Sequence, residues 1–290
     1  MLAGILLSLE PGTAVFADVF TVDTNESSLT LSGTIQALGS TYALTPQGSG
    51  SLTTTYSGTI QAAQAAGTIQ FTGQSLIQGQ NTGVWQPESD GSSGSASANY
   101  GGQVSALGQI VEVALRGILL DVTSPVISVT SGQFGSSSLV FGFSTNGSGT
   151  LSYNAGFFGS GAKPLDGYAT NNVSTLATLA AAGTEQTLTI PVNAVFHFSL
   201  LSQDDTALNV QGQFVAVRNA VPPLAIQSIG VTNRVVTLQW QSPAGQSFGV
   251  MSSPDLTTWQ TNASNVSSST TAYTWSGPAS APKTFYRIAN

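Results

Sequence analysis

The sequence predicts an all-β protein, a large antiparallel β-sandwich or barrel followed by a smaller β-sandwich. Three observations carry that prediction. Apolar residues recur at every second position over long stretches, the mark of strands buried on one face. Gly, Asn and Asp cluster between those stretches, where hairpins need tight turns. Of 290 residues, 41% are hydrophobic, enough for large cores, and only 7% are charged, against roughly 25% in an average soluble protein. The polar faces must therefore be built from Ser, Thr, Asn and Gln.

At the start of the chain, Leu2 to Leu9 form a short apolar run, followed by Pro11-Gly12 and by Val15-Phe16-Ala17 ahead of Asp18. An apolar segment closed by small residues has the form of a secretory signal peptide, here residues 1–17 with cleavage after Ala17. It departs from the usual form in having no Lys or Arg before the run and in carrying Glu10 near its end. The alternative is a first strand or short helix of the fold. The signal reading places the mature chain outside the cell or at its surface, with the periplasm as the other compartment. No other run approaches the ~20 apolar residues of a membrane span.

The alternation is clearest late in the large domain. Leu188, Ile190, Val192, Ala194, Phe196, Phe198 and Leu200 fall on one face, with Thr189, Asn193, His197 and Ser199 on the other. Leu208, Val210, Phe214 and Ala216 repeat the pattern, and Gln203-Asp204-Asp205-Thr206 between them reads as a turn. Earlier, Leu29, Leu31 and Ile35 alternate with Thr30, Ser32, Thr34 and Gln36, and Gly-Thr-Ile-Gln recurs at Gly33, Gly58 and Gly67. The unequal spacing of these echoes predicts a meander of similar strands rather than a repeat array. Leu139, Phe141 and Phe143, then Asn146-Gly147, then Leu151 and Tyr153 predict a second hairpin. One helix is expected, because Val173, Leu176, Leu179 and Ala180 keep helical spacing in an Ala-rich run that Gly183 can cap. Gln86 to Asn99, rich in Gly and Ser, reads as a long mobile loop.

Val221-Pro222-Pro223 interrupts the pattern, and consecutive prolines favour an extended spacer. The expected division is a large antiparallel domain over 18–220, a linker over 221–223 and a small module over 224–290. The small module contains Val235-Val236-Thr237-Leu238-Gln239-Trp240, then Ser253-Pro254-Asp255-Leu256-Thr257-Thr258-Trp259, then Ala272 to Trp275 and Phe285-Tyr286-Arg287. With its Leu-x-Trp strand, Ser-x-Asp-Leu-x-x-Trp segment and closing Phe-Tyr-Arg strand, it resembles the short fibronectin type III-like modules at the C-terminus of exported bacterial proteins. That resemblance implies an immunoglobulin/fibronectin III-like sandwich used for spacing, display, carbohydrate or protein contact, or recognition by a secretion machine. The module is shorter than a sandwich of ~100 residues, so a strand of that fold is expected to be missing. In the large domain, Phe20-Thr21-Val22-Asp23 followed by Ser27-Ser28-Leu29 looks like the opening strand of lipocalin-like polyisoprenoid-binding barrels, which keeps a barrel open beside a sandwich.

The ionisable groups bound the chemistry. Six Lys and Arg in the whole chain cannot form the basic stripe that several phosphate contacts require, which excludes nucleic acid. With no Cys, disulfides, thiolate metal sites and Cys nucleophiles are excluded too. His197 is the only histidine, and alternation places it on a polar strand face without a nucleophile elbow, so a solvated or barrel-lining strand residue outweighs a catalytic base. Glu88 with Asp90, and Asp204-Asp205, are ordinary turn formers or, less often, part of a calcium loop. Glu112 and Arg116 share one face of a strand expected from Ile110 to Leu120, opposite Val111, Val113, Leu115 and Leu119, where they can pair, as a surface ion pair in a sandwich or as a lumen pair and ligand contact in a barrel.

Trp85 and Tyr100 bracket the Gly/Ser-rich stretch and are the ligand-binding candidates, as saccharide-stacking residues or as loop anchors packed on the core. Trp240 and Trp259 stand under the same two readings, with buried sandwich aromatics the commoner. No catalytic residue, metal site or cofactor is called for. The leading expectation is a secreted or surface-associated, non-catalytic structural or binding protein with a carbohydrate or protein partner. The alternatives are a lipocalin-like carrier of an apolar ligand and a polysaccharide-active enzyme, the latter needing two facing carboxylates.

Overall fold

The computed structural model describes residues 17–37, 39–106, 108–182, 185–202, 205–219, 226–242, 246–278 and 284–289. The expected signal segment ahead of Ala17 and the linker at 221–223 lie outside them. The chain divides into two compact units, the larger ending at Arg218 and the smaller running over Asn219–Asn290. Both are built from strands, and among the described residues helical structure is limited to the three-residue turns Ser136–Ser138 and Gly156–Phe158.

The larger unit answers the choice between sandwich and barrel. Among the described residues, eight antiparallel passes follow one another and close on themselves. The first joins Ala17–Val22 to Ser28–Ala37, and the second is Thr53–Ala65. The third joins Thr68–Phe71 to Leu76–Gly79, the fourth Leu119–Thr123 to Ile127–Ser128, and the fifth Gln133–Gly135 to Val140–Phe143. The sixth joins Ala169–Asn171 to Leu176–Ala182, and Glu185–Phe198 and Thr206–Asn219 complete the set. Each pass pairs with the next, and the eighth returns to the first, with Ser28 opposite Gln213 and Thr21 opposite Val217. Closure leaves this sheet no free edge along its length.

The broken passes are continuous strands with insertions. Along the second pass, Thr21 lies opposite Thr59 and Ser28 opposite Thr55, so seven residues on one side advance against four on the other. The extra residues fold into a turn in which Asn25 N–H donates to Asp23 Oδ1 at 2.9 Å, while the buried Ser27 hydroxyl takes up Val215 N–H and C=O. The Gly-Thr-Ile-Gln echoes fall on the first three passes and place Ile35, Ile60 and Ile69 fully inside. Glycine at Gly58 is required by geometry: its φ is +112°, and an added Cβ would lie 1.9 Å from the Leu76 carbonyl oxygen.

The inward faces match the alternation in the sequence, since Leu188 through Leu200 and Leu208, Val210, Phe214 and Ala216 are buried. Aromatic rings meet through the interior. Phe214 lies edge-on to Tyr56 at 5.3 Å and 6.0 Å from Phe141, a residue of the fifth pass. Phe143 and Phe196 are 4.7 Å apart, and Phe71 and Phe134 are 6.0 Å apart.

The two ends of the barrel differ. At one end the connections are short, as between Ala65 and Thr68, paired with each other. At the other, the long connections 38–52, 80–118 and 144–168 supply a second sheet in the order Ser160–Pro164, Thr150–Asn154, Gln109–Arg116, Tyr100–Ala106, Thr45–Pro46. Its inward residues Val104, Val111, Val113, Leu115 and Leu151 join the barrel core as one cluster.

Three local expectations are corrected. The Ala-rich run is the strand Leu176–Ala182, not a helix, because it is paired with Gln133–Gly135 and with the seventh pass; ladder pairing on both sides overrides its helix propensity. The residues around Asn146-Gly147 do turn, with Gly147 N–H donating to Ser144 O at 3.0 Å, but the flanking strands enter different sheets instead of pairing. The strand expected from Ile110 to Leu120 breaks at Gly117, φ +60°, so Gln109–Arg116 belongs to the second sheet and Leu119–Thr123 to the barrel.

Among the described residues the smaller unit has two three-stranded sheets, Ile226–Thr232, Val235–Gln241, Ala272–Pro278 and Gln260–Ser267, Ser247–Ser253, Phe285–Ala289. Trp240 stacks on Tyr273, its cross-strand partner, at 5.6 Å, and Phe248 from the other sheet meets both edge-on.

Candidate functional site

The loop between Trp85 and Tyr100 leaves the barrel after the third pass and folds on the outer face of the second sheet. It opens with a small hairpin, Gly83–Trp85 against Ala96–Ala98. Tyr100 is no surface aromatic. Its place on the inward face of Tyr100–Ala106 buries it completely, its hydroxyl donates to Leu29 O at 3.1 Å, and it lies 3.0 Å from the Tyr56 hydroxyl. Burial pushes both phenols above their usual range. The saccharide-stacking reading of Tyr100 therefore falls.

Trp85 is half-buried. Its ring lies against Gly48, Gly83 and Gly101, where an added Cβ on Gly101 would come within 2.3 Å of Trp85 Cγ. The indole N–H donates to Thr82 Oγ1 at 2.8 Å, so its polar edge is already engaged, and the residue anchors the loop.

The segment expected to be mobile is tied down from beneath. Arg116 is 8% exposed, and its Nη2 donates to Trp85 O at 3.0 Å and to Pro87 O. Gln47 works beside it: its side-chain amide donates to Gly102 O at 2.9 Å and accepts from Gln86 N–H at 2.8 Å. Ser152 Oγ donates to Ser89 O at 2.8 Å. Burial lowers the proton affinity of the Arg116 guanidinium, with the Glu88 charge opposing, yet arginine stays charged across the physiological range. Its Nε and Nη1 are buried without a partner.

The expected Glu112–Arg116 pair does not form. Alternation does put both on the outer face, but Glu112 stands between Gln103 and Asn154, and Arg116 turns to the loop carbonyls. Partial burial raises the Glu112 carboxyl above its usual range. No local signal in the sequence marks Arg116 as a loop anchor, because its acceptors are backbone carbonyls supplied from a separate segment.

Asp90 and Asp205, read in the sequence as turn formers, act as such. Asp90 accepts Ser92 N–H at 2.8 Å, and the Ser92 side chain first, with this backbone bond second, holds its carboxyl below the usual range. Buried Asp205 accepts the N–H groups of Leu200, Leu201 and Ser202 and the hydroxyl of Thr206; Asp204 lies outside the described residues. Among the described residues no three His, Asp or Glu side chains gather as a metal site. His197 is exposed on the outer wall of the barrel. No helix of the described residues is long and apolar enough to cross a membrane.

In the smaller unit, Trp240 is buried, 1% exposed. Trp259 is half-buried beneath the Arg287 guanidinium, 4.3 Å from the ring centroid. The Ser-x-Asp-Leu-x-x-Trp segment is a turn device: Asp255 Oδ1 accepts Thr257 N–H and Thr258 N–H, both at 2.9 Å, and the Ser253 hydroxyl. Those bonds hold the Asp255 carboxyl well below the usual carboxylate range. Comparison of the chain with protein-family models, with curated proteins and with solved structures gives no match.

Proposed function

We propose that the protein is an exported, non-catalytic structural or binding protein of the cell surface or surrounding medium, in contact with a carbohydrate or protein partner. The observation that carries this reading is the filling of the barrel by its own rings, Phe141 against Phe214 at 6.0 Å and Phe143 against Phe196 at 4.7 Å, which supports recognition by the outer walls rather than the interior. Three of its charged groups serve the backbone, Arg116 on loop carbonyls and Asp205 and Asp255 on turn amides. The six strands described in the smaller unit, in two antiparallel sheets, support its reading as a fibronectin III-like display module.

The full chain, incubated with insoluble polysaccharides and with cell-wall material, is expected to sediment with at least one of them and to release no reducing ends. Release of reducing ends overturns the non-catalytic reading, and sedimentation with none removes the carbohydrate partner. Amino-terminal sequencing of secreted protein is expected to begin at Asp18; a start at Met1 refutes the signal peptide.

A closed meander barrel is also the architecture of small-ligand carriers, and this favours the carrier as second reading. The ring contacts oppose it. Tight binding of an apolar fluorophore by the unmodified protein would reverse that order.

A further inference from the structure

The outer wall of the barrel carries a notch away from the Trp85 loop. Across three neighbouring passes, Asp121, Gly142 and Ala169 form one lateral row, each opposite the next. A glycine in the middle of such a row, on an outward-facing position, leaves the wall low between its neighbours. The notch holds about 230 Å³ and is bordered by Thr123 on one side and by Ser144 and Asn146 of the connection leaving the fifth pass on the other.

Asp121 is fixed for use. Its Oδ1 accepts Ser75 N–H at 2.8 Å and Val122 N–H at 2.7 Å, which holds the carboxylate in one orientation. Among the described residues nothing donates to Oδ2. That oxygen sits over the open side of Gly73, 3.7 Å from where a Cβ of that residue would stand.

We propose that this notch binds one ring of a neutral polysaccharide, a deepening of the carbohydrate reading above on which it rests. The volume falls below the ~300–1,000 Å³ of pockets for drug-sized ligands, which fits one ring and not a folded chain. The floor of Gly142 and Ala169 is flat and apolar, suited to the C–H face of a pyranose. Asp121 Oδ2 accepts a pair of sugar hydroxyls, and Thr123, Ser144 and Asn146 exchange donors and acceptors with the rest of the ring edge. A lone carboxylate with no cation among the lining residues repels uronates and other anionic sugars.

The test uses the full chain in affinity electrophoresis against dextran, laminarin, xylan, galactomannan and, as the anionic probe, polygalacturonate. Two variants address the notch. Asp121→Asn keeps an acceptor oxygen for the Ser75 and Val122 amides while removing the charge. Gly142→Val fills the floor, where an added Cβ meets only Ala169 Cβ at 3.4 Å and Tyr168 O at 3.7 Å, ordinary contact distances. With thermal unfolding unchanged, each variant is expected to weaken retention by a neutral glycan about tenfold or more, the size of one charge-assisted hydrogen bond, and polygalacturonate is expected not to retain the protein. Retention of both variants equal to the unmodified chain overturns the notch and leaves the surface-binding reading standing. Retention by none of the glycans overturns both, and retention by polygalacturonate alone overturns the neutral class.

Discussion

The hydroxyl of Tyr56, inside the barrel, lies 3.0 Å from the hydroxyl of Tyr100 on the sheet that packs at its end. Because Tyr100 gives its single proton to Leu29 O, Tyr56 is the donor of the pair. Two segments 44 residues apart in sequence are thus joined by a buried polar chain that ends on a backbone carbonyl. Tyr100→Phe is expected to destabilise the larger unit by about 1–3 kcal/mol, since it strands the Tyr56 hydroxyl in the core and removes the second donor to the Leu29 carbonyl; a denaturant titration measures it. A pH dependence follows. Both phenols are raised in the fold, chiefly by burial, so their contribution is fully present below the unfolded tyrosine value of ~10 and is lost as pH rises above it. Stability of the unmodified protein should fall beyond that point, and less steeply in Tyr100→Phe. An equal alkaline slope would count against the pair.

Arg116 holds the Trp85 loop by its carbonyls. Arg116→Ala is expected to cost about 2–3 kcal/mol through lost charge-assisted hydrogen bonds and lost packing. It should also speed amide exchange across residues 86–98 while leaving the barrel strands protected. Unchanged exchange in that loop would show that Gln47 and Ser152 suffice.

Phe214 touches both Tyr56 and Phe141, so it occupies the middle of the barrel. Phe214→Ala is expected to lose about 3–5 kcal/mol and to gain binding of benzene or xenon in the space vacated, as apolar cavities do. The unmodified protein should bind neither. Binding by the unmodified protein would restore the carrier reading.

Asp255 acts through its ionised form, which the amides of Thr258 and Thr257 favour most. A carboxyl lowered in the fold contributes stability above its unfolded value of ~3.9, and that contribution is lost as pH falls through the folded value. The smaller unit should therefore weaken in acid, and Asp255→Ala should flatten this dependence. The readout is Trp fluorescence during acid titration, with the unaltered larger unit as internal reference.

Alternation alone put Ile35, Phe196 and Phe214 on apolar faces and His197 on a polar one, because which way a strand residue faces is decided by its own position in the pleat. The same local logic marked the turns at Asn146 and Asp205 and the change of composition ahead of the small module. It did not choose partners. The run at Leu176–Ala182 has the spacing of a helix and is a strand because ladders on both sides claim its backbone. Leu139 to Tyr153 has the form of a hairpin and divides between two sheets.

The barrel was decided only by closure. Ser28 meets Gln213 across nearly the whole large unit, and neither neighbourhood carries a mark of the other. The candidate residues divide for the same reason. Tyr100 could be read as a saccharide-stacking residue or as a loop anchor until the covering sheet turned it onto Leu29, and Arg116 looked like half of an ion pair until a distant loop offered carbonyls. The notch at Gly142 exists because Asp121 and Ala169 flank it from other strands. A strand's composition is written in its own residues, whereas a site on a β-barrel is written in register, which only the assembled sheet fixes.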